Sequence, residues 1–263
     1  MIQKYQFKYE AISPISHGGE ANFSNIQPFR TQKILFDGTF YDVPVLSGNG
    51  YRGGQMRRPA MKAFIDLLGI KKSSLGKRAY YLLFSGGSLS KGNDEVSIVD
   101  KLALRRTMPL VSIFGGGVKN MLLEGRMQVG FVYPVGKETR EFTGVASDKS
   151  VFEFLDTVFY THKDDYEGLE EGESPQMMYE TEILVPGTEF VQQINVTTDD
   201  QIELSAFGFV VETWLKNPRL GSKENVGHGF VKVDLPEGLP SGKEFVQDTL
   251  NRKAEILDFL NSY

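Results

Sequence analysis

A short apolar strand, a glycine-rich turn and a basic helix follow one another within sixteen residues, Val43-Pro44-Val45-Leu46-Ser47-Gly48-Asn49-Gly50-Tyr51-Arg52-Gly53-Gly54-Gln55-Met56-Arg57-Arg58. Such a segment has few places to go. The strand needs a sheet, the glycines let the backbone pass close to another surface, and the helix start offers unpaired N–H groups at the positive end of its dipole. Three arginines within the following turns make the same segment a cradle for phosphate. Pro59 removes a donor and crowds the turn before it, so the helix is expected to kink or restart there.

Around this segment the apolar pattern alternates between periods of two and of three to four. Residues 3–15 read as a first strand carrying Tyr5, Phe7 and Tyr9, and two strand pieces, Phe29–Leu35 and Phe40–Leu46, are joined by the turn signal Asp37-Gly38. The helix after Asn49 carries Met56, Ala60, Ala63, Phe64, Leu67 and Leu68 on one face and stops at Gly69. Residues 70–106 form a lysine-rich, partly helical excursion. An apolar piece, Pro109–Phe114, then ends in Gly115-Gly116-Gly117, and a strand is expected over Met121–Val135. Residues 145–178 are a second excursion. Glu182–Val196 reads as a strand with a bend at Pro186-Gly187, followed by a helix capped by Thr198-Asp199-Asp200. The strand Phe230–Leu235 follows, and a final helix over 241–262, opened by a Ser241/Glu244 capping box, buries Val246, Leu250, Ala254, Leu257 and Leu260. With the excursions set aside the order is strand, helix, strand, strand, helix, strand. The fold class is therefore α+β, a ferredoxin-like or RRM-like palm: a split βαβ arrangement with an antiparallel sheet, in one domain spanning residues 1–263.

Composition removes several functions. The chain has no cysteine, which excludes disulfides and thiolate metal sites and fits a reducing cytoplasm, and only three histidines, His17, His162 and His228, in no metal-binding spacing. No metal or other cofactor is expected. No apolar run approaches the roughly 18 residues of a membrane span, and the N-terminus lacks the apolar core of a signal peptide. The Gly48–Gly53 match to a dinucleotide fingerprint lacks its βαβ context and distal acid, and no nucleophile motif or P-loop is present.

Charge is strongly polarised along the chain. Residues 1–140 carry 20 Lys and Arg against 10 Asp and Glu, whereas 141–263 carry 9 against 24. Between Arg52 and Lys91, Asp66 alone faces nine basic residues. Taken with the glycine turn, this is a polyanion site rather than a solvated face. Glycine clusters at 18–19, 48–54, 115–117 and 221–229 all fall beside strand ends with Arg52, Lys119 or Lys223 close in sequence. Backbone N–H groups with Arg and Lys hold phosphates without reading bases, which suits a protein that grips a strand of any sequence.

These segments, in this order, resemble the RAMP-superfamily backbone subunit of CRISPR effector complexes, the protein that polymerises along guide RNA (crRNA) in antiviral defence. The resemblance lies in Pro14-Ile15-Ser16-His17-Gly18-Gly19 with Asn22 and Phe29-Arg30, in Val43–Asn49 with Arg52-Gly53 and Arg57-Arg58, in Ser112–Gly116, and in the loop Gly221–Gly229. The form SGN-x-x-RG-x-x-x-RR is most similar to the type IV branch. The resemblance implies an RRM-like palm with inserted finger and thumb segments at about 70–106 and 145–178, residues 85–94 or 161–178 being the thumb. It also implies a helical homo-oligomer, a cytoplasmic ribonucleoprotein whose partners are guide RNA, target nucleic acid through base pairing, further copies of the chain and other effector subunits, with no membrane. The RNA contacts it implies are His17, Asn22, Ser47, Gly48, Asn49, Arg52, Arg57, Arg58, Gly115, Gly116, Gly117, Lys119, Gly221, Lys223, Asn225 and His228. No catalysis is expected. The alternatives are a type III-like, metal-dependent cutter of target RNA using Asp37 or Asp42, and a small-molecule phosphate enzyme on the same fold. The acidic cluster Asp164–Glu173 lacks calcium-loop spacing and reads as a mobile, solvated loop rather than a metal site; the negative C-terminal half is expected to face an oppositely charged neighbour in the filament.

Overall fold

The computed structural model describes residues 1–19, 26–87, 97–118, 121–163 and 176–263. In chain order the strands and helices begin with β1 (Ile2–Ala11), β2 (Ile26–Gln27), β3 (Thr31–Phe36) and β4 (Thr39–Pro44). A continuous helical run follows, made of α1 (Gly48–Gly50), a π-wound stretch (Tyr51–Arg57) and α2 (Arg58–Leu67). Next come α3 (Lys77–Phe84), α4 (Ile98–Thr107), α5 (Pro109–Phe114), β5 (Gly116–Val118), β6 (Met121–Leu123), β7 (Met127–Pro134) and α6 (Arg140–Thr143). The chain closes with β8 (Leu155–Lys163), β9 (Gln176–Leu184), β10 (Glu189–Thr197), α7 (Gln201–Trp214), β11 (Val231–Asp234), α8 (Lys243–Asn251) and α9 (Lys253–Ser262).

The central sheet runs β11-β1-β10-β7, antiparallel throughout. With the helical run between β1 and β7, and α7 between β10 and β11, this is the split βαβ topology that the sequence order implies. The alternation of β1 explains which face is covered. Tyr5, Phe7, Tyr9 and Ala11 are buried and the even-numbered residues between them are exposed, so the odd positions meet the helices. Tyr5 stacks on Phe207 of α7 at 5.2 Å, and Tyr9 meets Trp214 edge-on at 6.0 Å. Each such ring contributes about 2 kcal/mol by burial. The middle of α7 is buried nearly all round because α5 and α8 pack on it as well; Phe209 lies 5.0 Å from Phe245.

Pro59 ends up inside the helical run without breaking it. The run is π-wound up to Arg57, with the Arg58 N–H reaching the carbonyl of Gly53, and resumes α winding with Pro59 near the start of α2. Widening the turn removes the clash that a proline ring makes with the carbonyl four residues back. The restart expected at Pro59 is therefore a change of winding.

The apolar piece Pro109–Phe114 is a helix, fully buried, with Pro109 in its first turn, where a missing N–H costs nothing. Other expectations need correction. The strand expected over 121–135 is two, β6 pairing with β5 and β7 entering the central sheet. Glu182–Val196 is likewise two strands: β9 forms a hairpin with β8, and β10 lies in the central sheet. Alternation alone cannot show that a chain changes sheets at Pro186-Gly187. The closing helix is two helices meeting at Arg252, and their buried residues are Phe245, Thr249, Ile256 and Leu260, while Leu250 and Ala254 face outward. The Ser241/Glu244 capping box does not form: the N-cap of α8 is Gly242, whose N–H donates to Glu212 at 2.9 Å.

The β3–β4 hairpin turns at Asp37-Gly38, both with positive φ, the turn that matches strand twist. Its Ile34 and Val43, with Val45 and Val151, form a second small core against Phe131 and Tyr133 of β7. Among the described residues no helix is long and apolar enough to cross a membrane.

Candidate nucleic-acid interface

The site is built where the chain leaves β4. Leu46 exchanges two backbone hydrogen bonds of 3.0 Å with Val132 on the edge strand β7. Gly48 then crosses that strand so closely that a Cβ there would sit 2.2 Å from the Val129 carbonyl oxygen, a separation no side chain allows. The strand bulges at this point, between the pairs Gln192–Val132 and Ile194–Val129. Ser47 caps the helix, its hydroxyl accepting from the Gly50 N–H at 3.4 Å, and the first helical N–H groups, at Gly48 and Asn49, have no intrahelical carbonyl to meet. Asn49 is exposed and Arg52 half-buried just beyond.

His17 holds this turn in place. Its Nε2 accepts the Ser47 N–H at 3.0 Å, its carbonyl accepts the Arg30 N–H at 2.8 Å, and Gly50 packs against its ring. Acceptance at Nε2 requires the neutral imidazole. Burial, with a smaller contribution from the Arg30 charge, pushes the His17 pKa below 6.5 and so favours that form. His17 thus positions the turn through Nε2, which leaves the ring proton on Nδ1.

Two glycine loops meet the π-wound stretch from opposite sides. On one side Gln55 donates to the Gly221 carbonyl at 3.3 Å and to Glu224 at 2.6 Å. Ser222 donates to the Ser16 carbonyl at 2.7 Å, next to His17, and Gly221, at φ 82°, passes so near that a Cβ would lie 2.2 Å from the same oxygen. On the other side Arg57 is buried, donating to the Gly115 carbonyl with its guanidinium on the Phe114 ring, 5.1 Å from the centroid. Burial and the neighbouring Arg52 lower its pKa to about 10. The Gly117 N–H in turn bonds to Gly86 at 2.6 Å. Residues two apart on a helix point away from each other, so Gln55 and Arg57 tie the two loops to one helix.

Arg57 is accordingly turned inward, its guanidinium engaged by the protein itself. Arg58 is exposed with no partner among the described residues. It borders a groove of about 660 Å³ lined also by Lys62, Lys72, Tyr80, Phe84 and Gly54. There Tyr80 and Phe84 stack at 5.2 Å, and the Lys72 ammonium lies 4.7 Å from the Phe84 ring centre.

The Gly221–Gly229 loop has a second attachment that the sequence did not signal. Lys223 donates to Thr181 at 2.6 Å and lies against the stacked rings of Tyr160 and Tyr179, 4.7 and 4.8 Å from their centres. His228 is buried and bonds to the Tyr160 hydroxyl. Burial lowers both pKa values, and the Lys223 charge adds to the effect on His228. His228 therefore fastens the loop to the β8–β9 hairpin through Nε2. Tyr160 and Tyr179 face each other across that hairpin, a pairing invisible while 145–178 reads as an excursion of unknown register. Asn225 is exposed at the tip of the loop, and Asn22 and Lys119 lie outside the described residues, as do 88–94 and the segment 164–175. Among the described residues no group of three or more histidines or carboxylates is placed to hold a metal ion.

No protein-family model and no curated protein sequence matches the chain. A solved structure does. A chain of a structure described as "Type IV-B CRISPR Complex" superposes with a TM-score of 0.69 at 22% identity, covering 90% of this chain and 91% of its own. The palm, the helical run and the glycine loops thus form, over nearly the whole chain, the fold of a chain of a type IV CRISPR complex, the branch that the SGN-x-x-RG-x-x-x-RR segment resembles.

Proposed function

We propose that this protein is a non-catalytic, RNA-binding backbone subunit of a CRISPR effector complex, several copies of which line one guide RNA in the cytoplasm and present it for pairing with target nucleic acid. The convergence of the Ser47–Arg52, Gly115–Gly117 and Gly221–Gly229 segments on one helix carries the reading. Close backbone, unpaired helical N–H groups and the cations Arg52 and Arg58, without an anionic partner among the described residues, suit a sugar-phosphate chain whatever its sequence. The aromatic groove beside Arg58 adds ring faces for bases. The likeness to a chain of a CRISPR complex supports the same assignment.

The alternative, cutting activity would rest on the β3–β4 hairpin. Asp37 lies at the tip of the β3–β4 hairpin and Asp42 opposite Lys33 on its outer face, the tip being about 20 Å along the strand from Pro44.

The test is RNA affinity over a range of salt for wild type, Arg52→Ala and Arg58→Ala, with unrelated RNA sequences. Each variant loses affinity about equally for all sequences, and the slope of log affinity against log salt falls by roughly one. Unchanged affinity in both variants overturns the interface. Metal-dependent cutting of a complementary target that Asp37→Ala or Asp42→Ala abolishes overturns the non-catalytic assignment.

A further inference from the structure

The fold divides the basic stretch that follows Asn49 between two places. Arg52 stands at the helix start and Arg57 is turned inward, whereas Arg58, Lys62, Lys71, Lys72, Lys77 and Arg78 are exposed along α2, the turn after it and α3. None of these six has a carboxylate partner among the described residues, and Asp66 is the one acidic residue in their midst. Gly54, Arg58, Lys62 and Asp66 recur at every fourth position, so the groove they line runs along the helix. The two glycine loops, by contrast, are tied to Gln55 and Arg57, and a strand held between them crosses the helix near its start. From Arg57 to Asp66 the groove carries on along the axis for roughly 13 Å.

Aromatic rings are interleaved with these cations. Tyr80 and Phe84 line the groove, and the Lys72 ammonium has only their rings for company, 5.3 and 4.7 Å from the two centres. On α3 Lys77, Arg78 and Tyr81 lie three and four residues apart and are all exposed. Tyr81 stands edge-on to Tyr80, 5.8 Å between centres. Cations track phosphates and ring faces take unpaired bases of any identity, whereas a duplex keeps its base faces stacked within. The pattern fits a single strand that follows the helix, in a direction different from that of a strand lying across the cradle.

We propose that the α2–α3 groove binds a second, single-stranded nucleic acid, separate from the strand in the glycine-loop cradle. The inference rests on the proposed function for the occupant of the cradle and not for the chemistry of the groove. The test is the affinity of the guide-loaded protein, over a range of salt, for a labelled single-stranded DNA with no complementarity to the guide. Wild type binds it, and binds a duplex of the same length more weakly. In a chain carrying both Lys62→Gln and Lys72→Gln the slope of log affinity against log salt falls by roughly 1.4. Tyr81→Ala loses at least about five-fold in affinity, and Tyr81→Phe stays close to wild type. The RNA recovered per chain is the same in all of these variants.

An unchanged salt slope in the lysine variant, or a duplex bound as tightly as the single strand, overturns the proposal. Loss of guide from the lysine variant to the extent seen in Arg52→Ala assigns the groove to the guide and overturns the second strand. Recovery of wild type without RNA removes the proposed occupant of the cradle and leaves the groove to be judged by the same titration on the guide-free chain. Binding weakened by the lysine pair and not by Arg52→Ala then upholds it as a site of its own, and binding weakened equally by both overturns it.

Discussion

Arg57 and Arg58 are neighbours in sequence and opposites in structure. Arg57 is buried, its guanidinium spent on the Gly115 carbonyl and the Phe114 ring, while Arg58 stands exposed at the rim of a basic, aromatic groove. The difference is set by the helix alone, since adjacent residues emerge about a quarter-turn or more apart. One side of the helix faces a loop that must be held, and the other faces solvent where a ligand can come. An arginine-rich motif can thus divide its residues between building a site and serving it, and no property of the side chain says which does which.

The largest effect expected from this contrast is in stability. Arg57→Ala leaves a void on Phe114 and an unmet carbonyl at Gly115, a loss of about 3 kcal/mol, whereas Arg58→Ala stays within about 0.5 kcal/mol. Urea unfolding of the two variants measures it. Equal and small changes in both would erase the distinction. RNA affinity should show the reverse order among variants that remain folded, with Arg58→Ala weaker and a folded Arg57→Lys close to wild type.

Two glycines of the same helical run extend the contrast to the backbone. Gly48→Ala drives a methyl group into the Val129 and Gly130 carbonyls, which displaces the helix start from β7 and costs about 2 kcal/mol, with RNA affinity lost in proportion. Gly53→Ala meets nothing within 4 Å and gains up to about 1 kcal/mol of helix propensity. Thermal unfolding of the pair checks both signs. A destabilised Gly53→Ala would mean that the π winding itself requires glycine there.

The sequence carried the palm well and the site in part, and each success and failure has a local cause. The alternation of Tyr5, Phe7 and Tyr9 and the helical spacing of Met56, Ala60 and Phe64 are imposed by burial on one face, so they survive in the linear pattern. What a loop does once it has left the core is set by partners far along the chain. Nothing near Gly221 announces Ser16 or Gln55, and nothing near Lys223 announces the two stacked tyrosines it lies against. The register of β8 with β9 and the sheet change between β9 and β10 were hidden for the same reason. His17 was legible as a residue of the site but not as its support, because its role depends on which nitrogen meets Ser47.

That role of His17 predicts the smallest effect and fixes its sign. The folded chain keeps the His17 pKa below the 6.5 of a free imidazole, by burial and by the Arg30 charge, so the folded state binds fewer protons than the unfolded one in the interval between the two values. Stability linked to His17 is therefore fully present above about pH 6.5 and is lost as pH falls through the folded value. Protonation also turns Nε2 from acceptor to donor and sets it against the Ser47 N–H, loosening the turn that carries Asn49 and Arg52. His228, lowered by burial and by Lys223, contributes in the same direction, so the two are separated by substitution. His17→Gln should flatten part of the decline in stability between pH 7 and 5 and cost about 1 kcal/mol at neutral pH. Its RNA affinity should lose the acid sensitivity that Lys223→Ala, which removes the charge acting on His228 and leaves His17 in place, retains. A wild-type chain whose RNA binding weakens on acidification equally with and without His17 would show that the turn is held by the Leu46–Val132 pairing and the Gly48 contact, with the imidazole only filling space.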